Sequence, residues 1–90
     1  MNKGELIALI SDETQITKSD IDLVLTRAIA LIVNRVAGGE KVTIVGFGSF
    51  QRRDRKERRG RNPKTGEEMM IPANCVPVFS AGKDFKDRVA

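Results

Sequence analysis

The feature that most constrains the fold of this chain is an eighteen-residue stretch, residues 51–68, whose only apolar side chain is Pro63. Because burial of apolar surface is the dominant force in folding, this stretch has nothing to pack against a hydrophobic core. We therefore expect it to project into solvent as a two-stranded ribbon, or to remain a flexible tether. β-forming residues at both ends and a central turn sequence, Asn62-Pro63-Lys64-Thr65-Gly66, favour the ribbon.

Charge is concentrated in the same stretch. The sequence carries 16 Lys and Arg against 12 Asp and Glu, for a net charge of +4. Residues 51–66 hold eight cations and two acids, so the rest of the chain sums to −2. In an extended strand the cations occupy both faces: Arg53, Arg55, Arg59 and Arg61 on one, Arg52, Lys56 and Arg58 on the other. A ribbon with two basic faces suits the space between the phosphate walls of a duplex, whereas a solvated charge run is the plain alternative.

Two helices are predicted before this stretch. Asn2 is a suitable N-cap for a helix near residues 3–13, with Glu5 at the third helical position. Thr17 and Asp20 repeat the pattern, and no Gly or Pro follows until Gly38-Gly39 ends a second helix at Ala37.

The apolar residues of the second helix cover an arc roughly twice the ~100° that one core contact requires. Val24, Ala28 and Ile32 lie within this arc. A chain of this length buries only about 60–65% of its unfolded surface. We therefore expect a second copy to cover part of the arc, while coverage by the first helix and the sheet of the same chain is the alternative.

A hairpin is predicted next, from Val42 through the sequence Gly46-Phe47-Gly48-Ser49-Phe50. RNA-binding strands also alternate Gly with aromatic residues, but Val45 replaces their basic residue and Ser49 their second stacking aromatic. We therefore interpret Phe47 and Phe50 as core, and we expect them to contribute, with Phe79, to a dimer core.

Beyond the turn, the apolar residues of the return strand are expected to bring the chain back to the core: Met69, Met70, Ile71, Val76, Val78 and Phe79. Pro72 and Pro77 imply edge positions or bulges in this strand. Ser80 is a candidate N-cap for a final helix through Val89, with Phe85 and Val89 on its buried side, and its first amides would form an anion site.

Several classes of function lack the residues they need. With no His and a single Cys75, neither a metal site nor a disulfide nor a catalytic set is predicted, and Cys75 is expected to be inert. No apolar stretch approaches the ~20 residues of a membrane span, and the N-terminus lacks a signal-peptide pattern. We expect an intracellular protein that is not an enzyme and takes no cofactor or small-molecule substrate.

Pro63 has two interpretations. Its commonest use is to form a turn, but architectural proteins also push an apolar side chain between base steps and kink the duplex. Arg61, Asn62 and Lys64 flank it, which suits a wedge. Lys3, Lys83 and Lys86 are candidates for additional phosphate contacts, with surface solvation as the alternative for each.

Four motifs together resemble the HU and integration host factor family of bacterial DNA-bending proteins, over essentially all ninety residues. They are Met1-Asn2-Lys3-Gly4-Glu5-Leu6, Gly46-Phe47-Gly48-Ser49-Phe50, Gly60-Arg61-Asn62-Pro63-Lys64-Thr65-Gly66 and Ile71-Pro72-Ala73 with Val76 to Lys83. The chain looks closer to HU.

The resemblance implies a single domain over residues 1–90 of α+β class. Its parts would be a two-helix N-terminal hairpin, an antiparallel sheet with a protruding arm over about 51–76, a short C-terminal helix and an intertwined dimer. It places Pro63 as the wedge, Arg61 and Asn62 beside it in the minor groove, and Lys3 and Lys83 at contacts on the body. Arg53, Arg55 and Arg58 would lie along the arm.

The implied function is nearly sequence-independent binding and bending of double-stranded DNA by a homodimer associated with the bacterial nucleoid in the cytoplasm. A heterodimer with a paralogue stays open. Two alternative functions also stay open. One is site-specific bending as in integration host factor, and the other is a basic adaptor for RNA or an acidic protein.

Overall fold

The computed structural model describes all ninety residues, Met1–Ala90, in two compact units, Met1–Asn34 and Arg35–Ala90. The elements in chain order are α1 (Lys3–Thr14), α2 (Lys18–Ala37), β1 (Val42–Ile44), β2 (Gly48–Arg55), β3 (Arg58–Arg61), β4 (Glu68–Ile71), β5 (Asn74–Ala81) and α3 (Lys83–Val89). The α+β class is confirmed. Whether residues 1–90 act as one domain stays a prediction. None of the three helices has the length and apolarity needed to cross a membrane.

Side-chain caps define the helix starts in the unit Met1–Asn34. The amide of Glu5 donates to Asn2 Oδ1 at 2.9 Å, which confirms Asn2 as the N-cap of α1. The amide of Asp20 donates to Thr17 Oγ1 at 3.4 Å at the start of α2. Gln15 adopts a left-handed φ of 61° and ends α1.

The end of α2 opens the unit Arg35–Ala90. Gly39 has a φ of 96°, its amide donates to the carbonyl of Val36, and the amide of Glu40 donates to the carbonyl of Arg35, both at 3.0 Å. These two bonds form a Schellman motif, in which a left-handed glycine satisfies carbonyls at the end of a helix. The predicted stop at the glycine pair is confirmed.

The strands form two antiparallel sheets. One has the order β1-β2-β5, and the other consists of β3 and β4. The β1–β2 connection is the predicted hairpin, with Ile44 opposite Gly48 and a left-handed Gly46 (φ 84°) in the turn. Pro77 lies in β5, at the edge of the first sheet, where a missing N–H leaves no central ladder bond unmade.

The four phenylalanines of the chain gather on this sheet. Phe79 lies 4.9 Å from Phe50 and 5.3 Å from Phe47 between ring centroids, and Phe47 lies 5.6 Å from Phe85 of α3. The cluster needs Gly48, since a Cβ there would lie 2.7 Å from the Phe79 ring and 2.5 Å from the carbonyl oxygen of Ser80. Phe47 and Phe79 nevertheless remain more than 40% exposed, so the cluster is open to solvent in the single chain.

The predicted start of the C-terminal helix is wrong. Ser80 is the penultimate residue of β5, opposite Ser49, and α3 begins at Lys83 with Gly82 as an N-cap that makes no side-chain bond. The amide of Gly82 donates to the carbonyl of Phe47, so it is not free to bind an anion. The strand extends past Ser80 because its ladder with β2 continues to Gly48. Val89 is 75% exposed and does not lie on a buried side.

Few apolar side chains of the single chain are buried. Only Ile7, Ile21 and Val36 fall to 7% exposure. Along α2, Val24 is 68% exposed, Ala28 is exposed and Ile32 is half-buried. The predicted dimer-core residues on this helix are therefore available to a partner.

Candidate nucleic-acid interface

A single register runs through both sheets of the projecting ribbon. Each step forward in the first strand pairs with one step back in the second, from Gly48 opposite Ala81 to Arg61 opposite Glu68. Most of the apolar-poor stretch before the turn, through Arg55 and over Arg58–Arg61, therefore folds as paired strands, as predicted. Over the twelve residue steps from Phe50 to Asn62, an extended strand reaches about 40 Å.

The ladder is interrupted once, where Lys56 and Glu57 face Pro72 and Ala73. Pro72 has no N–H to donate, which weakens pairing at this point. The ribbon thus consists of a root, β2 with β5, and a distal part, β3 with β4, in continuous register.

The distal part holds its own small apolar contact. Ile71 packs over Gly60, where a Cβ would lie 2.6 Å from Ile71 Cδ1. Met69 and Met70 pair with Gly60 and Arg59 and are about half exposed. The expectation that Met69, Met70 and Ile71 return the chain to the core is therefore wrong, because their partners lie in the distal part of the ribbon.

The tip is a closed turn in which three hydrogen bonds involve Asn62. The Asn62 amide donates to the carbonyl of Glu67 at 2.8 Å, and the Gly66 amide donates to the carbonyl of Asn62 at 2.7 Å. Asn62 Oδ1 accepts from the amide of Lys64 at 2.9 Å. Gly66 has the predicted positive φ, 74°. These bonds close the turn over residues 63–66, and Pro63 is exposed within it.

Unpaired basic side chains lie on one face of the root ladder and on both faces of the distal ladder. In the root, Arg53 and Arg55 share one face, and in the distal part Arg59 and Arg61 share one face, with Arg58 on the other. All of them are exposed, and none makes an ion pair or a side-chain hydrogen bond. Their charge is therefore available to an external anion.

Arg52 differs from the other cations of the ribbon. Its Nη1 donates to the carbonyl of Ala37 at 3.0 Å, and its Nε lies 3.0 Å from Asp54 Oδ1. No sequence pattern indicated this role, because Ala37 lies fifteen positions earlier in the chain.

Cys75 faces the same carboxylate across the root of the ribbon. A hydrogen bond from the thiol to Asp54, aided by desolvation and the negative charge of Asp54, raises the pKa of Cys75 above its ordinary value, against a smaller opposing effect of Arg52. A raised pKa lowers the thiolate fraction at neutral pH, which supports the expectation that Cys75 is unreactive.

The predicted contacts on the body differ in their surroundings. Lys3 Nζ donates to Thr26 Oγ1 at 2.6 Å and lies 3.2 Å from Asp22 Oδ1, so it is already paired within Met1–Asn34. Lys83 and Lys86 on α3 are exposed and make no ion pair, and Ser80 is exposed in β5. Contact of these four residues with nucleic acid stays a prediction.

Comparison with known proteins gives consistent matches over the whole chain. A family model described as bacterial DNA-binding protein matches residues 1–90. The DNA-binding protein HU of Synechocystis sp. is 58% identical over 96 aligned positions, covering 100% of this chain and 96% of that protein. The HU protein of Nostoc sp. is 56% identical with the same coverage.

Solved structures of HU proteins also match the whole chain. An Anabaena HU–DNA cocrystal structure superposes with a TM-score of 0.88 at 56% identity, covering 100% of this chain and 98% of that one. HU from Thermotoga maritima superposes with a TM-score of 0.71 at 32% identity and covers both chains fully.

Proposed function

The chain belongs to the family of bacterial DNA-binding proteins, and we propose that it is an architectural protein that grips and bends double-stranded DNA with little dependence on base sequence. The observation that carries this proposal is the basic ribbon, whose free arginines lie on both faces of an apolar-poor projection. Its similarity to a protein crystallised with DNA supports the same partner.

Phosphate neutralisation would supply most of the binding energy. Arg53, Arg55 and Arg58 lie along the ribbon, and Arg61 lies next to the tip. Their guanidinium groups make no ion pair, and their planar geometry matches phosphate oxygens. Because such contacts carry no sequence information, we expect a preference only for duplexes that deform easily.

The tip supplies the proposed kink. Pro63 is an exposed, rigid apolar ring within a hydrogen-bonded turn, flanked by Asn62 and Lys64. Inserted between base steps from the minor groove, such a ring replaces stacking contacts at a cost of a few kcal/mol, which contact with the bent duplex offsets.

The proposed working form is a homodimer. The chain exposes 7592 Å² of surface, whereas a folded monomer of its mass exposes about 5,200 Å². The projecting ribbon accounts for part of this excess, and apolar side chains such as Val24 and Phe47 for another part. A second copy would bury these side chains, as obligate homodimers do, and would bring two ribbons to one duplex.

In the cell, we propose that this dimer associates with the nucleoid in the cytoplasm and helps to compact the chromosome. It would act without cofactor, metal ion or catalysis, since binding and bending require only charge, shape and the wedge.

Salt-dependent titration of linear, nicked and pre-bent duplexes tests the proposal. Neutralisation of about eight phosphates predicts that log K falls against log salt with a slope near −7, with tighter binding to the distorted duplexes. A slope shallower than about −3 would contradict phosphate-driven binding.

Stronger binding to matched duplex RNA or single strands would favour the adaptor function. A preference above about 10³-fold for one sequence over random DNA would favour site-specific bending.

A further inference from the structure

Arg52 is the one cation of the ribbon that faces protein. Its guanidinium donates to the carbonyl of Ala37 and forms an ion pair with Asp54, both at 3.0 Å. The other seven Lys and Arg side chains of residues 51–66 make no such contact. An arginine held by two acceptors has less freedom to reach a phosphate, so its role differs from that of its neighbours.

The acceptor at Ala37 is a carbonyl that the end of α2 leaves without a backbone partner. The Schellman motif at Gly39 satisfies the carbonyls of Arg35 and Val36. Ala37 is the last residue of α2, and its carbonyl has no partner within the helix. A cation is also favoured there because the helix dipole is negative at its C-terminus. Arg52 thus completes the end of α2.

The second acceptor holds the Arg52 side chain along its own strand, β2. Asp54 lies two positions further along β2, on the same face, and pairs with Cys75 of β5. Arg52 therefore joins the end of α2 to β2, whose ladder with β5 forms the root.

Small changes at the root have large effects at the tip. The ten residue steps from Arg52 to Asn62 span about 33 Å when extended, so a rotation of about 10° at the root moves the tip by about 6 Å. That displacement exceeds the ~3.4 Å rise between base pairs. Whatever fixes the root therefore decides which base step the tip meets.

We propose that Arg52 is a positioning residue for DNA bending: it fixes the root of the ribbon to the end of α2 and sets the direction of the arm without contacting phosphate. This inference rests on the proposed DNA-bending function. It separates the cations of the ribbon into one that orients the arm and seven that are free to bind DNA.

The test compares Arg52→Gln with its neighbour Arg53→Gln on one duplex, measuring affinity against salt and end-to-end fluorescence transfer. Arg52→Gln is expected to keep the parent salt slope, reduce bending and weaken binding about two- to fivefold, the range for loss of an exposed ion pair. Arg53→Gln is expected to lower the magnitude of the slope by about 0.9 for each arm that contacts phosphate. An Arg52→Gln slope reduced as much as that of Arg53→Gln overturns the proposal.

Two further variants separate positioning from charge. Arg52→Lys keeps the charge but loses the fork that reaches both acceptors, so bending should stay reduced. Full recovery of bending would overturn the proposal. Asp54→Asn keeps all cations and weakens the ion pair with Arg52, so it should also reduce bending. Unchanged bending in this variant would contradict a role of the ion pair in positioning the arm. A shallow salt slope in the parent protein would contradict the DNA-binding function itself. A steep parent slope with a reduced slope in Arg52→Gln would contradict only the positioning role of Arg52.

Discussion

Asn62 and Lys64 are joined across the tip of the ribbon by a 2.9 Å hydrogen bond from the Lys64 amide to Asn62 Oδ1. Pro63 lies between them and is exposed. An asparagine that bonds the backbone two residues on forms a local turn of its own. The side-chain oxygen of Asn62 is therefore engaged in shaping the tip before any DNA is bound.

Replacement of Asn62 tests this turn. Asn62→Ala removes the acceptor, so we expect faster hydrogen exchange at the Lys64 amide and reduced bending of bound duplex. Asn62→Ser is the matched control, because a hydroxyl makes the same turn more weakly. Equal exchange rates at Lys64 in the parent and Asn62→Ala proteins would mean that the bond does not order the tip.

Replacement of Pro63 tests the wedge. Pro63→Ala should keep most of the affinity, since the phosphate contacts remain, but should lower the bend reported by fluorescence transfer between labelled duplex ends. Pro63→Leu keeps a large apolar side chain and should retain more of the bend than alanine does. If the alanine protein bends DNA as the parent does, Pro63 acts only as a turn-former.

Gly48 tests the packing of the phenylalanine cluster. Gly48→Ala places a Cβ 2.5 Å from the Ser80 carbonyl oxygen and 2.7 Å from the Phe79 ring, and overpacking of this kind costs about 1–3 kcal/mol of unfolding free energy. Gly4→Ala is the control, since its nearest neighbour lies at 3.5 Å in the first turn of α1. Urea unfolding at one protein concentration should show a loss for Gly48→Ala and none for Gly4→Ala. Equal stability of the two variants would contradict the tight approach.

Val24 tests the dimer. It is 68% exposed in the single chain, so Val24→Glu should cost little in a monomer but should bury a carboxylate in the proposed dimer core. We expect lowered stability, with dissociation detectable by sedimentation. Val45→Glu, at a position 96% exposed outside the predicted dimer core, should leave the dimer intact. A Val24→Glu protein as stable and dimeric as the parent would exclude this face as the interface.

Cys75 has a predictable pH dependence. Because Asp54 raises the pKa of this thiol, a smaller fraction of Cys75 is thiolate at a given pH than in an ordinary cysteine. Alkylation by iodoacetamide near pH 8 should therefore be slower than that of an unstructured cysteine peptide, and it should accelerate in Asp54→Asn. Equal rates for the parent and Asp54→Asn proteins would show that the carboxylate does not control the thiol.

The sequence determined the features that depend on neighbouring residues. Asn2 caps α1 over three positions, the Gly38-Gly39 pair ends α2 through bonds of one turn, and Asn62 to Gly66 close the tip within a few residues. The lack of apolar side chains other than Pro63 over residues 51–68 likewise favoured a projection, since that stretch has too little apolar surface to form a core.

Only the tertiary structure decided where distant residues meet. Ser80 satisfies the local pattern of a helix cap, but its ladder with β2 holds it in a strand, and Arg52 has the pattern of a DNA contact until the end of α2 provides an acceptor fifteen positions away. Such contacts follow from strand register and chain reversal, which place residues side by side regardless of their separation in sequence. A local pattern states what a residue is able to bind, and the fold determines which partner it has.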